Sequence, residues 1–193
     1  GIPFPIFYGY LMYPLVGLTA WLTGTLDGAI LFIFFAIWVL QFFFSFKLFS
    51  RVSQRRDVAF TVASLVIWSV YPLSNLFTRG ALAEAFAVGF LTCATSNWLL
   101  FITDNTRRDE GRHAILIMIF LALALGSHPI TLFYGTLFFI CTVLISLTLW
   151  NQIKGRKLSK SLFSAATALG VFIVVLPWLF QTLHSGLQNR PLI

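Results

Sequence analysis

The most informative stretch of this chain is residues 28–46, GAILFIFFAIWVLQFFFSF, which contains no charged side chain. A helix of this length spans about 28 Å, close to the hydrocarbon thickness of a bilayer. The whole chain agrees, since 59% of its 193 residues are hydrophobic and only 10% are charged. Soluble domains carry about 25% charged residues, and disordered chains are polar. The composition excludes both classes and predicts an all-α, polytopic membrane protein.

Further uncharged runs predict the other membrane spans. They lie at residues 58–71, 84–102 and 161–183, and residues 114–150 are long enough for two spans joined by a turn at 126–129. Pro129 suits the first turn of the second helix of that pair, where its missing N–H costs nothing. We therefore expect six transmembrane helices over residues 28–183, within a single membrane domain that comprises residues 1–193.

The lysines and arginines predict the orientation of these spans. Most of them fall in three connections, residues 47–57, 103–113 and 151–160. Six crossings place all three connections on one side, and the positive-inside rule makes that side cytoplasmic. We therefore expect an inner- or plasma-membrane protein whose two chain ends lie outside. These connections also explain the net charge of +7, so the predicted partner is the lipid bilayer and no nucleic acid.

The segment before the first span has a different character. Residues 6–24 contain amphipathic aromatic side chains typical of a membrane interface, namely Tyr8, Tyr10, Tyr13 and Trp21. The part free of breaks, residues 14–23, is only about 15 Å long as a helix. We expect an interfacial helix within residues 1–27, the end of an extracytoplasmic loop; a seventh span is the alternative. The start of the chain resembles no signal peptide, and we interpret the chain as part of a longer protein.

Ionisable side chains beside the spans are costly and therefore mark candidate functional residues. Arg79 precedes a helix that starts near Gly80, and its guanidinium and the helix N-terminus together suit an anion. The alternative is that Arg79 extends to the lipid headgroups. Glu84 lies about one turn inside the same helix. It either pairs with Arg79 and fixes the loop, or it orients Arg79 or binds a substrate hydroxyl.

Other polar residues give weaker signals. His128, at the predicted outer turn, either caps that turn or contributes a hydrogen bond or a proton to the same site. Asp27 is predicted to be the N-cap of the first span, with a base or metal role as the alternative. His113 and His184 are interpreted as loop and interface residues. Cys93 and Cys141 lie in apolar runs and predict neither a disulfide nor a metal site, and the sequence requires no cofactor.

Three stretches resemble a bacterial membrane family labelled 6-pyruvoyl-tetrahydropterin synthase-related. They are GIPFPIFYGYLMYPLVGLTAWLTG, YPLSNLFTRGALAEAFAVG and LALALGSHPITLFYG. The family's Arg-Gly-Ala-x-x-Glu motif corresponds to residues 79–84, and its Ser-His motif to residues 127–128. The same layout is similar to the C-type, multi-spanning glycosyltransferases.

This resemblance implies transfer of a sugar from a polyprenyl-phosphate donor to an envelope acceptor on the outer face. Arg79 would contact the phosphate, supported by Glu84 and His128, with Tyr8 and Tyr10 as further substrate contacts. The resemblance also allows a divalent metal, and it implies that the catalytic acid precedes Gly1. The alternative is a non-catalytic protein, either a transporter subunit or a scaffold for envelope polysaccharide assembly. Charges near the ends of the spans disfavour transport.

Overall fold

The computed structural model describes residues 11–69, 81–103 and 107–154. Within these ranges all regular structure is helical, as predicted. The helices are α1 (Met12–Thr23), α2 (Leu26–Ser53), α3 (Arg56–Ile67), α4 (Leu82–Thr103), α5 (Arg107–Ser127) and α6 (Pro129–Lys154). Tyr8, Tyr10, Arg79, His184 and the span predicted at 161–183 lie outside the described residues.

Among the described helices, α2 and α4 are long and apolar enough to cross a membrane. The predicted run 28–46 belongs to a helix that is longer at both ends. The helix α2 begins at Leu26 and continues through Lys47 and Arg51 to Ser53. Long basic side chains can extend along a helix toward water, so a charge at these positions does not end the helix. The predicted connection 47–57 is correspondingly reduced to Gln54 and Arg55.

The helix α3 is shorter than its predicted span. It has 12 residues and is about 18 Å long, whereas the prediction extended the span to residue 71. In α5 and α6 the apolar parts, Gly111–Ser127 and Tyr134–Ser146, are also shorter than a full span. Six crossings therefore stay a prediction.

The start of α2 corrects one expectation. Thr25 precedes the helix with extended backbone angles, and its hydroxyl oxygen accepts a hydrogen bond from the backbone N–H of Gly28 at 3.1 Å. Thr25 is therefore the N-cap, and the prediction that Asp27 has this role is wrong. Asp27 lies exposed in the first turn, where its charge interacts favourably with the positive end of the helix dipole.

Side-chain contacts fix the directions of the long helices. The rings of Phe34 and Phe86 lie 4.8 Å apart, and three residues further along each helix Ile37 lies against Gly89, so α2 and α4 run parallel. Asn97 of α4 bonds to His113 of α5, and Phe90 of α4 stacks on Phe120 of α5. Phe90 lies seven residues before Asn97 and Phe120 lies seven residues after His113, so α4 and α5 run antiparallel. Phe42 of α2 contacts Phe60 of α3, and Trp38, earlier in α2, contacts Trp68 at the end of α3, each pair of rings 5.6 Å apart. The helices α2 and α3 therefore also run antiparallel.

These directions give the bundle two different ends. The first end, where α2, α4 and α6 begin, is called the start end. The other, called the basic end, is where those helices finish and where α3 and α5 begin. Every lysine and arginine among the described residues lies within about two helical turns of the basic end: Lys47, Arg51, Arg55, Arg56, Arg107, Arg108, Arg112 and Lys154. The described parts of the three basic connections thus share one end; that this end is cytoplasmic stays a prediction.

The helix α1 lies at the start end. The backbone N–H of Leu11, just before α1, donates to the carbonyl of Gly126 near the end of α5 at 3.1 Å. At its other end, Gly24 adopts a left-handed conformation with φ of 77° and leads directly into the cap of α2. Both ends of this 12-residue helix therefore lie at the same end of the bundle. Residues 12–23 form a helix. Residues 6–10 of the predicted segment lie outside the described residues, so the interfacial helix and its alternative, a seventh span, stay predictions.

The core of the bundle is centred on α4. This helix packs against α2, α5 and α6, and its largest fully buried side chains are Trp98, Phe86, Leu100, Asn97 and Cys93. Phe120 of α5 contacts both Phe44 of α2 and Phe90 of α4, so aromatic rings join three helices. Cys93 is buried and Cys141 is exposed, and both are free thiols, as expected.

The close approach of α2 and α4 requires a glycine at position 89. A methyl group at Gly89 would overlap Cγ2 of Ile37 and lie 3.4 Å from Nε2 of Gln41. The branched side chain of Ile37 has few rotamers to which it can move. The absence of a side chain at Gly89 thus sets the spacing of these two helices.

We expect Gly89→Ala to lower the free energy of unfolding by about 1–3 kcal/mol, because overpacking strains a dense core. Gly111→Ala is the matched control, since a methyl group there meets nothing within 4 Å and alanine favours helix. Thermal unfolding in detergent measures both. A Gly89→Ala variant as stable as the Gly111→Ala control would contradict the packing described.

Candidate functional site

The turn between α5 and α6 has the predicted position and sequence. Ser127 is the last residue of α5, and Pro129 is the first residue of α6. The backbone N–H of Thr131 donates to Nδ1 of His128 at 3.3 Å, and the Thr131 hydroxyl lies 3.1 Å from the same nitrogen. Nδ1 is therefore an acceptor, and the proton of the neutral ring is on Nε2. The predicted capping role of His128 is confirmed.

Glu84 occupies the first turn of α4 and is half-buried. The carbonyl of Ala81 accepts from the N–H of Ala85 at 3.0 Å, so Ala81 is the N-cap of α4. Glu84 is therefore at position N3, the third residue after the N-cap. A carboxylate at this position is stabilised by the unpaired N–H groups and the positive dipole end of the helix. This local role adds to the two that the sequence suggested. The pairing with Arg79 stays a prediction, because Arg79 lies outside the described residues.

Glu84 and His128 lie at the same end of the bundle. Asn97 and His113 are in contact across the antiparallel pair α4 and α5. Glu84 lies thirteen residues before Asn97, and Gly126 lies thirteen residues after His113. Because both helices rise equally per residue, Glu84 is level with Gly126, beside the turn that holds His128. The structure therefore brings these two candidates to the start end.

The charges at the start end differ from those at the basic end. Among the described residues, the start end has two acidic side chains, Asp27 and Glu84, and no lysine or arginine. The positive dipole ends of α2, α4 and α6 face this end, as do the negative ends of α3 and α5. Binding of a phosphate there would therefore depend strongly on Arg79, which lies five residues before Glu84 in the sequence.

A buried polar pair lies elsewhere, between α4 and α5. The Asn97 amide nitrogen donates to the carbonyl of Cys93 at 2.9 Å, so its oxygen faces Nδ1 of His113, also at 2.9 Å. Nδ1 of His113 therefore carries a proton and donates it to Asn97. Both side chains are 0% exposed. The interpretation of His113 as a loop residue is wrong, because α5 begins at Arg107 and places His113 inside the bundle.

A second polar contact joins α4 to α6. Nε1 of Trp98 donates to the hydroxyl of Ser146 at 2.7 Å. Asn97 and Trp98 are about 20 Å along α4 from Glu84, so neither contact belongs to the start end. The sequence analysis missed both contacts because it took His113 for a loop residue and did not weigh Asn97, Trp98 or Ser146. Asn97 within the apolar run of α4 was the signal, since an amide in such a place needs a partner.

A groove of about 450 Å³ opens on the side of the bundle between α2, α3 and α4. It is called the Gln41 groove and is lined by Gln41, Val62, Leu65, Val66, Ser69, Val88 and Thr92. Gln41 lies near the middle of α2, and it is only 3% exposed. The sequence did not predict this groove. The groove exists because α3 and α4 both pack against α2 without filling the space between them, and no local sequence pattern indicates that spacing.

The basic end contains an exposed ion pair in the connection before α3. Nε of Arg55 donates to Asp57 Oδ1 at 3.2 Å, and Nη2 of Arg55 contacts Oδ2 of the same carboxylate. The guanidinium lowers the pKa of Asp57 below its ordinary value. This pair therefore stabilises the folded state at pH values above the usual aspartate pKa. The stabilisation is lost as the pH falls through the lowered pKa of Asp57 and the carboxylate is protonated. Solvent screens both groups, so the contribution to stability is small.

No group of three or more His, Cys, Asp or Glu side chains that could hold a metal ion occurs in the described ranges. The divalent metal that the resemblance allows therefore stays a prediction.

Comparison of the chain with protein-family models, with curated protein sequences and with solved structures finds no match. The class of the protein is therefore defined by its own fold. In the described residues it is a helical bundle with two helices of membrane-spanning length and composition, and with its lysines and arginines at one end.

We expect Asn97→Leu to lower the free energy of unfolding by about 1–3 kcal/mol, because the buried N–H of His113 Nδ1 loses its acceptor. Thr95→Val is the control, since the half-buried Thr95 hydroxyl bonds only within its own helix, to Leu91 at 2.9 Å. Thermal unfolding in detergent compares the two variants. Equal stabilities would show that the Asn97–His113 bond does not hold α4 and α5 together.

Proposed function

We propose that this chain is the membrane domain of a glycosyltransferase-like protein that uses a polyprenyl-phosphate-linked sugar at its start end, on the extracytoplasmic face. One observation carries the proposal: Glu84 and His128 lie at the end of the bundle opposite all the described lysines and arginines. A protein that acts outside the cell on a lipid-linked substrate needs its polar site at the end away from the cytoplasmic charges.

The lateral surface supports a membrane setting. Large apolar side chains at Leu31, Phe35, Val39 and Phe43 of α2 are each about half exposed or more and recur every four residues. They form one continuous stripe along the helix. Soluble monomers rarely expose apolar patches larger than a few hundred Å². Bilayer lipid is the surrounding that removes this surface from water, and the two spans and the charge distribution agree with it.

The start end supplies groups suited to the reaction. In sugar transfer, the oxygen of the acceptor hydroxyl forms a bond to the anomeric carbon, and the bond from that carbon to the phosphate oxygen breaks. The phosphate leaves with the electron pair, and the hydroxyl proton passes to a base. Arg79 and the helix N-termini would stabilise the phosphate charge, and the Nε2–H of His128 would donate a hydrogen bond to it.

Glu84 is suited to the acceptor side of the reaction. A half-buried carboxylate accepts a hydrogen bond from a sugar hydroxyl and holds it in position. Tyr8, Tyr10 and Asp27 precede or begin α2 in the sequence and are proposed to contact the substrate from the N-terminal side. The base that takes the proton stays unassigned.

The second candidate function is a non-catalytic subunit for envelope polysaccharide assembly. The Gln41 groove favours it, because an open groove on the side of the bundle is suited to another membrane protein. A scaffold does not need Glu84 or Arg79 for its activity, so the two candidates differ in what these substitutions do.

We expect Arg79→Ala to reduce sugar transfer about 100-fold, as the loss of one donor to a developing anion does in other enzymes. Glu84→Gln should reduce it as well, since the amide loses the charge. The assay measures transfer of radiolabelled sugar from a polyprenyl-phosphate donor by the intact protein in membranes. Asp57→Asn, at the basic end, is the control and keeps the transfer rate.

His128 needs a pair of variants, because it also caps α6. Asparagine is a strong N-cap, so His128→Asn should keep the fold, whereas His128→Ala should cost about 1 kcal/mol of stability. The proposal expects both variants to lose transfer. Undiminished transfer in folded Arg79→Ala and Glu84→Gln proteins would contradict the enzyme and favour the scaffold.

A further inference from the structure

The outer face of α2 changes from apolar to basic toward the basic end. The apolar stripe on this helix ends at Phe43, and Lys47 and Arg51 follow at the same spacing of four residues. Side chains four residues apart lie on the same side of a helix, so these two cations continue the stripe. Arg51 is exposed and Lys47 is half-buried. The surface that would face hydrocarbon in a membrane thus ends in positive charge.

The two helices that begin at the basic end show the same change. In α3 the exposed Arg56 lies four residues before Phe60, which is 59% exposed. In α5 the exposed Arg112 lies three residues before Ile115, which is 54% exposed. Each cation shares one side of its helix with its apolar neighbour. Together with the two cations of α2 they form a surface called the basic rim, which comprises Lys47, Arg51, Arg56 and Arg112.

The position of the basic rim along α2 matches a layer of lipid headgroups. Asp27 lies four residues before Leu31, the first residue of the stripe, and twenty residues before Lys47. Twenty residues of helix are about 30 Å long, which is the thickness of the hydrocarbon core of a bilayer. A bilayer that covers the stripe therefore places the phosphates of one leaflet beside Lys47 and Arg51, and those of the other leaflet beside Asp27. Long basic side chains extend readily to such phosphates.

The positive charge of the basic end exceeds the acidic groups available within these 193 residues. Among the described residues this end has eight lysines and arginines and three acidic side chains, Asp57, Asp109 and Glu110. Asp57 is already paired with Arg55. The remainder of the sequence contains five more lysines and arginines and one more acidic side chain, Asp104. An anionic group that binds the basic rim therefore comes from outside these residues.

The apolar neighbours of the basic rim favour a lipid over a water-soluble anion. Nucleic acid or an acidic protein would approach from water and cover the ends of the helices. The rim cations lie instead on the sides of the helices, one to two turns from exposed Phe43, Phe60 and Ile115. An anionic phospholipid contacts both parts of this surface, with its acyl chains on the apolar side chains and its phosphate on the cations.

We propose that the basic rim binds the headgroups of anionic phospholipids, whose acyl chains lie along the outer faces of α2, α3 and α5. The preference belongs to one leaflet, because the carboxylate of Asp27 occupies the corresponding level of α2 at the start end and repels anionic headgroups there. This inference rests on the membrane setting of the proposed function but not on sugar transfer. A negative transfer assay therefore leaves it intact, and a negative lipid assay leaves sugar transfer intact.

Electron paramagnetic resonance of spin-labelled lipids tests the proposal. The intact protein is reconstituted into phosphatidylcholine vesicles that contain a trace of spin-labelled phosphatidylglycerol or phosphatidylcholine. The fraction of motionally restricted label measures how strongly each lipid associates with the protein. One cation near an anionic headgroup is worth about fivefold in affinity. Because only one leaflet has the basic rim, we expect phosphatidylglycerol to associate about threefold more strongly on average.

Substitutions at exposed positions locate this preference. The triple variant Arg51→Gln, Arg56→Gln and Arg112→Gln removes one rim cation from each helix and should bring the two lipids close to equal association. The corresponding triple lysine variant keeps the charges and should keep the preference. The double variant Arg55→Gln and Asp57→Asn is the second control, because it removes the exposed ion pair at the same end without changing the net charge.

Three results would overturn the proposal. The first is equal association of the two lipids with the wild-type protein; binding of an oligonucleotide to the same vesicles would then assign the basic rim to nucleic acid. The second is a preference that persists in the triple glutamine variant. The third is loss of the preference when inorganic phosphate replaces chloride at constant ionic strength, which would show that the cations bind free phosphate.

Discussion

Charged side chains and unpaired backbone groups are excluded from a hydrocarbon layer, and the described helices have the arrangement that this constraint favours. Every described lysine and arginine lies near one end of the bundle, and the long helices run between that end and the start end. Helix satisfies the backbone of each segment internally. The few polar side chains inside the bundle are mostly paired, as Asn97 is with His113 and Trp98 with Ser146. The two ends therefore differ in charge, and the difference gives the bundle a direction.

The sequence predicted the features that depend on local composition. The run 28–46 gave the first long helix, and Gly126, Ser127, His128 and Pro129 gave the turn between α5 and α6. The ends of helices were less accurate, since Lys47 and Arg51 lie inside α2 and Thr25 rather than Asp27 caps it. The Asn97–His113 pair and the Gln41 groove were not predicted, because each depends on the register between neighbouring helices, that is, on which residues lie at the same height along the bundle. That register is set by packing at positions such as Gly89 and Phe120, which no local pattern reveals.

The polar features of the bundle fall into three groups with different physical roles. Asn97, His113, Trp98 and Ser146 join α4 to its neighbours and stabilise the fold. Glu84 and His128, at the start end, are each explained in part by a local helix terminus, so a role in chemistry needs the addition of Arg79. Gln41 of α2 lines the lateral groove. The fold thus separates the end that carries Glu84 and His128 from the lateral Gln41 groove.

The orientation of the two ends is the claim on which the proposed function depends, and labelling of single cysteines tests it most directly. In a protein with Cys93 and Cys141 replaced, Leu26→Cys marks the start end and Arg56→Cys marks the basic end, both at exposed positions. A membrane-impermeant maleimide added to intact cells should label Leu26→Cys and should label Arg56→Cys only after the membrane is opened. Labelling of Arg56→Cys alone in intact cells would reverse the orientation, and labelling of both would show that α2 does not cross the membrane.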